Sequence, residues 1–292
     1  IHASLLYREM VNCQDFGITA DNIGFDLQKI FEYKDNSAAA MRADLEEKFE
    51  ELDIDFLQGH ATILNHRKVH VKLPDGTSKV FQGKNILIAT GAKANRPDIP
   101  GIDLPGVMTS EELLLSNESK YKKMLILGGG VIGLEIATVF NALGTEVTIV
   151  ESAGRLLPKM DPEFSEALED ILKQRGIKIC KASVLESIRE REGGLYCKYL
   201  NKGQYERTTV DAVLVSVGRR AYTENLFSPD VPVKIEDGKI IVDEFFMTSI
   251  PGVYAIGDVI EGVQLAHVAS AQASYVVERM NGKKPTFTLE MV

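Results

Sequence analysis

Hydrophobic positions along this chain follow two rhythms, and the change from one to the other divides it. Residues 3–11 read as a helix, and Met41, Leu45, Phe49 and Leu52 recur at helical spacing and stop before Asp53. That is the pattern of an amphipathic helix laid on a sheet. Residues 69–73 are strand-like, Pro74-Asp75-Gly76 is turn chemistry, and Ile86-Leu87-Ile88-Ala89-Thr90 is a buried strand stopped by Gly91. Residues 96–106, with Pro97, Pro100, Pro105 and two glycines, read as a connection between domains.

From Lys123 the rhythm becomes strand, helix, strand, helix. Strands are expected at 124–127 and 146–150, a helix at 131–143, and a second helix whose inner face is Phe164, Leu168, Ile171 and Leu172. Such alternation argues a parallel sheet with helices across its faces. A strand at 177–179 follows, then a hairpin turning at Asn201-Lys202-Gly203, an apolar strand at 212–217 and another hairpin around Asp237-Gly238. The run Val253-Tyr254-Ala255-Ile256-Gly257-Asp258 precedes a last helix carrying Ala269, Ala273, Val276, Val277 and Met280 on one face.

Length and charge narrow the reading. The 292 residues, 45% of them hydrophobic, suffice for two cores of ordinary size. Thirty-three basic against 42 acidic side chains give a net charge of -9 without a basic block, which disfavours nucleic acid and anionic membrane as partners. Cys13, Cys180 and Cys197 lie too far apart for a CxxC or CxxxxC pair, so neither a disulfide framework nor a metal site is expected, and a reducing, cytoplasmic setting fits. No apolar run reaches the ~18 residues of a membrane span. The chain starts with Ile1 inside a helical pattern, so a fragment or a processed chain is expected.

The strongest chemical signal is Gly128-Gly129-Gly130-Val131-Ile132-Gly133, placed between an apolar strand and an apolar helix. In that context Gly128 permits a tight turn, Gly130 leaves room for a pyrophosphate, and Gly133 lets helix and strand pack closely. The phosphates would rest on the helix N-terminus, where free N–H groups and the helix dipole favour negative charge. Glu151, eighteen positions beyond Gly133, ends the next strand. A carboxylate there accepts from both hydroxyls of an adenosine ribose and repels a 2'-phosphate, selecting NAD over NADP. The plainer alternative is a solvated strand-end acid, and Arg155 nearby keeps NADP open. Glu135, near the start of the helix, has a functional reading and a plain one, complementing the dipole. Thr90-Gly91 and Gly257-Asp258 each end a buried strand at the kind of sheet edge where ligands bind, although each is also an ordinary strand-to-loop junction.

Taken together, Ile88-Ala89-Thr90-Gly91, the stretch from Gly128 to Glu135, Val217-Gly218-Arg219-Arg220, Thr248, and Tyr254 to Asp258 with Leu265-Ala266-His267 resemble the pyridine nucleotide-disulfide oxidoreductases in order and spacing, most closely the dihydrolipoamide dehydrogenase branch. The resemblance spans essentially the whole chain. It implies a Rossmann-like, doubly wound α/β domain that binds NAD at about 117–243, inserted in an incomplete FAD-binding domain of the same type formed by 1–116 and 244–286, with 287–292 opening a C-terminal dimerisation domain. It further implies that Asp258 binds the flavin ribityl chain, that Thr90, Gly91, His60, Ala61 and Ala266 lie along FAD, that Glu135 stands near the nicotinamide, and that Val184 and Gly218 line the NAD site.

Departures from the family pattern qualify the implied activity. The glycine motif for the FAD pyrophosphate, the redox CxxxxC and the Lys that pairs with the Glu135 equivalent are expected upstream of Ile1, and the catalytic His-Glu pair beyond Val292. None of them is in this chain, and its five histidines offer no replacement by sequence argument. No catalytic residue is therefore assigned, and this polypeptide is expected to be inactive alone. The parent chemistry is hydride transfer between nicotinamide and flavin followed by exchange with a dithiol, dihydrolipoamide being the substrate implied. The implied partners are a second copy of the chain and components of 2-oxo acid dehydrogenase or glycine cleavage systems. Glutathione- and mercuric-reductase-like parents, and a non-catalytic NAD(H)-binding module, are the alternatives.

Overall fold

The computed structural model describes residues 1–117 and 120–285. In chain order its helices are α1 (His2–Val11), α2 (Leu27–Glu51), α3 (Ser110–Leu115), α4 (Val131–Ala142), α5 (Pro162–Gln174) and α6 (Ala266–Met280). The strands are β1 (His60–Leu64), β2 (Lys68–Lys72), β3 (Ser78–Gln82), β4 (Ile86–Ile88), β5 (Ala92–Ala94), β6 (Val107–Thr109), β7 (Lys123–Leu127), β8 (Glu146–Val150) and β9 (Lys178–Cys180), then β10 (Ser183–Arg191), β11 (Gly194–Asn201), β12 (Gln204–Val210), β13 (Ala212–Val215), β14 (Arg219–Ala221), β15 (Ile235–Glu236), β16 (Lys239–Ile240) and β17 (Val253–Ala255). Two compact units result, one of residues 1–48 with 94–218 and one of 49–93 with 219–292. Pairing of β6 with β13 takes the proline-rich segment before β6 into the first unit. The stretch at 287–292 lies outside the described residues.

A five-stranded parallel sheet of order β6-β13-β7-β8-β9 forms the centre of the first unit. Met124, Leu125 and Ile126 of β7 have no exposed surface, as expected of a central strand covered on both faces, and each such side chain contributes about 1.5–3 kcal/mol on burial. On one face Met124, Ile126, Val147, Ile149 and Leu214 pack against α4 and α5 through Leu134, Ala137 and Leu172. On the other, Leu125, Val213 and Val215 meet Leu185, Ile188, Cys197 and Tyr199 of the antiparallel ribbon β10-β11-β12, so this face is covered by a ribbon. Asp161 caps α5 by accepting from the N–H of Glu163, with Pro162 in its first turn.

Two helix faces depart from the sequence reading. α5 buries Ser165, Glu169 and Leu172, with Leu168 partly covered, while Phe164 is 68% and Ile171 42% exposed. The rotation is tolerated because Lys173 and Lys181 each reach the Glu169 carboxylate at 2.7 Å. Burial raises the affinity of that carboxyl for its proton, and the two ammonium groups more than reverse this, holding it below the usual range. α2 buries none of its residues, and Met41 and Leu45 on its stripe are exposed, as is Leu52 beyond its end. Periodicity identifies an apolar face without naming what covers it, so the expected helix laid on a sheet is not formed here.

The second unit holds the antiparallel sheet β1-β2-β3 and the parallel pair β4-β17. Ile63, Ile88, Val253, Ala255 and Val259 share its core. α6 buries Gln272 and Val276, while Val277 is 47% exposed.

Candidate functional site

The chain leaves β7 through Gly128 at φ +109, a left-handed conformation that L side chains rarely adopt. A Cβ there would stand 2.4 Å from the Ser216 carbonyl oxygen. Gly133, in the first turn of α4, is equally constrained, since its Cβ would lie 2.4 Å from the Gly128 carbonyl and 2.6 Å from Ser216 Oγ. Helix and strand therefore approach more closely than any side chain allows. Gly130, the N-cap of α4, differs: its φ of -80 suits any residue, and a Cβ would meet nothing within 4 Å. Open space thus lies over the first turn of α4, whose N–H groups have no intrahelical partner and make an anion site.

Glu151 follows β8 and is 8% exposed. Its Oε2 accepts from the Gly129 N–H at 2.5 Å, and its Oε1 from the Ala153 N–H at 2.6 Å and Ser152 Oγ at 3.3 Å. The carboxylate is thereby fixed beside the glycine turn while each oxygen keeps acceptor capacity. A cleft of about 760 Å³ opens at this carboxyl edge of the sheet, walled by Gly128, Gly130, Glu151, Lys159, Val184 and Gly218 among others. It spans the ends of the neighbouring strands β7 and β13, where the strand order reverses, the place open α/β sheets bind ligands.

Of the residues singled out from the sequence, the cleft brings together Gly128, Gly130, Glu151, Val184 and Gly218, with Gly133 packed beneath. Glu135 lies on an exposed part of α4 and is not among the lining residues. Arg155 is not among the lining residues and donates from Nη2 to the Pro158 carbonyl at 2.6 Å, and the cation on the wall is Lys159. The segment from Leu157 to Met160 was missed. It is tied to the glycine turn by the Leu157 N–H donating to the Gly129 carbonyl at 3.0 Å, and the signal available was its position directly after the Glu151 strand. Asn95, Pro97 and Ser216 also line the cleft and carried no local pattern.

In the second unit, β4 and β17 run parallel with Ile88 opposite Ala255, so Thr90-Gly91 and Gly257-Asp258 leave one carboxyl edge together. Thr90 Oγ1 donates to the Tyr222 carbonyl at 2.8 Å, and the Tyr222 N–H to the Gly91 carbonyl at 2.8 Å. Gln272, which sequence reasoning passed over, accepts from the Gly257 N–H at 2.7 Å and is 9% exposed. Ala269 stands beneath that turn, 3.2 Å from where a Gly257 Cβ would be. Ala266 opens α6, whereas His60 and Ala61 are exposed on β1, in a different sheet.

All three thiols are buried and free. Burial pushes the Cys197 thiol up to about 12 and raises that of Cys180, so neither is disposed to act as a thiolate nucleophile near neutral pH.

Similarity to known proteins agrees with this geometry. The chain is 35% identical over 277 residues to dihydrolipoyl dehydrogenase of Chlorobaculum tepidum, covering 94% of this chain and 58% of that protein. It is 31% identical to mitochondrial dihydrolipoyl dehydrogenase 1 of Arabidopsis thaliana, covering 97% and 56%. The solved structure of the HOCl-induced flavoprotein disulfide reductase of Escherichia coli superposes with a TM-score of 0.80 at 29% identity, covering 89% of this chain and 59% of that one. The chain therefore spans a little over half the length of the relatives it matches. The family model for pyridine nucleotide-disulphide oxidoreductases matches residues 16–273, and the chain belongs to that family.

Proposed function

We propose that the cleft of the first unit binds NAD(H) in preference to NADP(H). The observation that carries this is the Glu151 carboxylate, held by the Gly129 and Ala153 N–H groups at the edge of a cleft that also opens over the N-terminus of α4. Pyrophosphate oxygens fit over Gly130, where no side chain intrudes, and ribose hydroxyls fit against Glu151. Gly218 and Val184 complete the walls. Thr90, Gly91 and Asp258 are suited to the rim of a second nucleotide, FAD, along the β4-β17 edge. When bound, nicotinamide and flavin would supply a two-electron path toward a dithiol-disulfide couple. This chain's own residues bind and orient the nucleotide.

The activity we assign to the whole protein is FAD- and NAD-dependent dithiol-disulfide exchange of the dihydrolipoyl dehydrogenase kind, with a homodimer and 2-oxo acid dehydrogenase or glycine cleavage components as partners. A second reading, a non-catalytic NAD(H)-binding module, is favoured by the burial of all three thiols. Fluorescence titration separates binding from its absence: NADH is expected to bind at one site per chain, to be displaced by ADP-ribose, and to bind more tightly than NADPH. Equal affinity for the two nucleotides would refute the specificity, and absence of NADH binding the site itself. A lipoamide-dependent NADH assay then distinguishes the enzyme from the module.

A further inference from the structure

Behind the cleft wall lies a polar network that the reading above does not use. Glu206 on β12 accepts at Oε2 from Lys178 Nζ at 2.6 Å and from the Tyr199 hydroxyl at 3.1 Å, and at Oε1 from Asn201 Nδ2 at 2.6 Å. Asn201 in turn accepts at Oδ1 from Ser183 Oγ at 3.0 Å. Ser183 is 1% exposed, borders the cleft, and donates its backbone N–H to the Glu151 carbonyl at 2.9 Å. The preceding residue, Ala182, has φ +49 and donates its N–H to the Ala153 carbonyl at 2.8 Å. The turn that presents Val184 to the cleft is therefore strained and tied to the Glu151 loop on one side. On the other it enters the β10-β11 ladder, with Ser183 opposite Asn201 and Val184 opposite Leu200, and the side-chain bond from Ser183 to Asn201 is added to that pairing.

The arrangement suits positioning better than stability. Lys178 is 51% and Glu206 35% exposed, and an ion pair of that kind contributes little by itself. Lys178 and Asn201 hold the Glu206 carboxyl below its usual range, so the acceptor stays charged through neutral pH. Lys178 belongs to β9 at the edge of the parallel sheet, whereas Asn201 and Glu206 belong to the ribbon, so Glu206 braces ribbon to sheet. We propose that Asn201 and Glu206 are positioning residues for the nucleotide, holding Ser183 and Val184 against its adenosine end. This rests on the cleft being the NAD(H) site.

The test is equilibrium binding of NADH, ADP-ribose and nicotinamide mononucleotide to the 292-residue chain, with melting temperature measured alongside. Asn201→Ala is expected to weaken NADH and ADP-ribose by the same factor, about threefold to tenfold, the range of one lost hydrogen bond. Nicotinamide mononucleotide should be unaffected. The double variant Asn201→Asp with Glu206→Gln exchanges amide and carboxylate while keeping length and net charge, and should restore affinity to within about twofold of the parent. Unchanged ADP-ribose affinity in Asn201→Ala, or a loss that the exchange does not rescue, would overturn the proposal. Gly130→Val separates the levels: if NADH binds the parent and this variant abolishes it, the site stands and only the Asn201 result judges the inference. If the parent binds no NADH, the site fails and the inference with it.

Discussion

Replacing Glu151 by Ala perturbs two things at once, and the structure allows them to be separated. The first is structural. The side chain accepts from two backbone N–H groups at 2.5 and 2.6 Å, and charge-assisted bonds of this kind contribute roughly 1.5–3 kcal/mol each when buried. Water from the cleft can replace part of each, so a net loss of about 2 kcal/mol is expected. For a chain of this size that is a fall in melting temperature of roughly 4–8 °C. The second is selective. Removing an anion that faces a 2'-phosphate is worth roughly 1–3 kcal/mol in a partly buried site, or about tenfold to a hundredfold in the NADPH to NADH affinity ratio. Thermal melts and paired titrations with both nucleotides measure the two independently. A fall in melting temperature with an unchanged ratio would show that Glu151 only braces the glycine turn, and the specificity argument would be wrong.

Gly130→Val should abolish NADH binding with the melting temperature almost unchanged, because its side chain would enter open space; retained binding in a folded variant would sink the pyrophosphate assignment. Gly133→Val should instead cost several kcal/mol and lower soluble yield, since its Cβ would stand 2.4 Å from a carbonyl oxygen; a melt like that of the parent would refute this. Cys180 and Cys197 should resist a thiol reagent such as dithionitrobenzoate until denaturant is added, and rapid labelling of either in the native state would contradict their burial. Because the folded Cys197 thiol is pushed up to about 12 from 9.0, its stabilising contribution is complete below pH 9 and is lost as pH rises from there toward 12. Melting temperature should fall across that window, and Cys197→Val should flatten the fall.

What could be read without coordinates was local. Gly128, Gly130 and Gly133 were assigned three different roles from their spacing, and the positive φ at Gly128, the open space at Gly130 and the tight contact at Gly133 follow those roles one by one. A backbone turn between strand and helix is set by residues within a few positions of one another, so the chain itself specifies it. The same holds for the end of β8 at Glu151 and for the hairpin at Asn201-Lys202-Gly203, where Lys202 and Gly203 both have positive φ. Tertiary structure alone decided which side of a helix faces inward and what meets it. The stripe of α5 was misread because Glu169 becomes acceptable inside only when Lys181, distant along the chain, folds back to it. That of α2 was misread because periodicity does not say what lies opposite. The cleft wall depends on the same kind of long-range contact: Ser216 beneath Gly133, Leu157 bonded to Gly129, and Asn201 reaching Ser183 are each brought together by strand order. Sequence spacing carries local geometry, whereas a site assembled from the ends of several strands exists only once the sheet has formed.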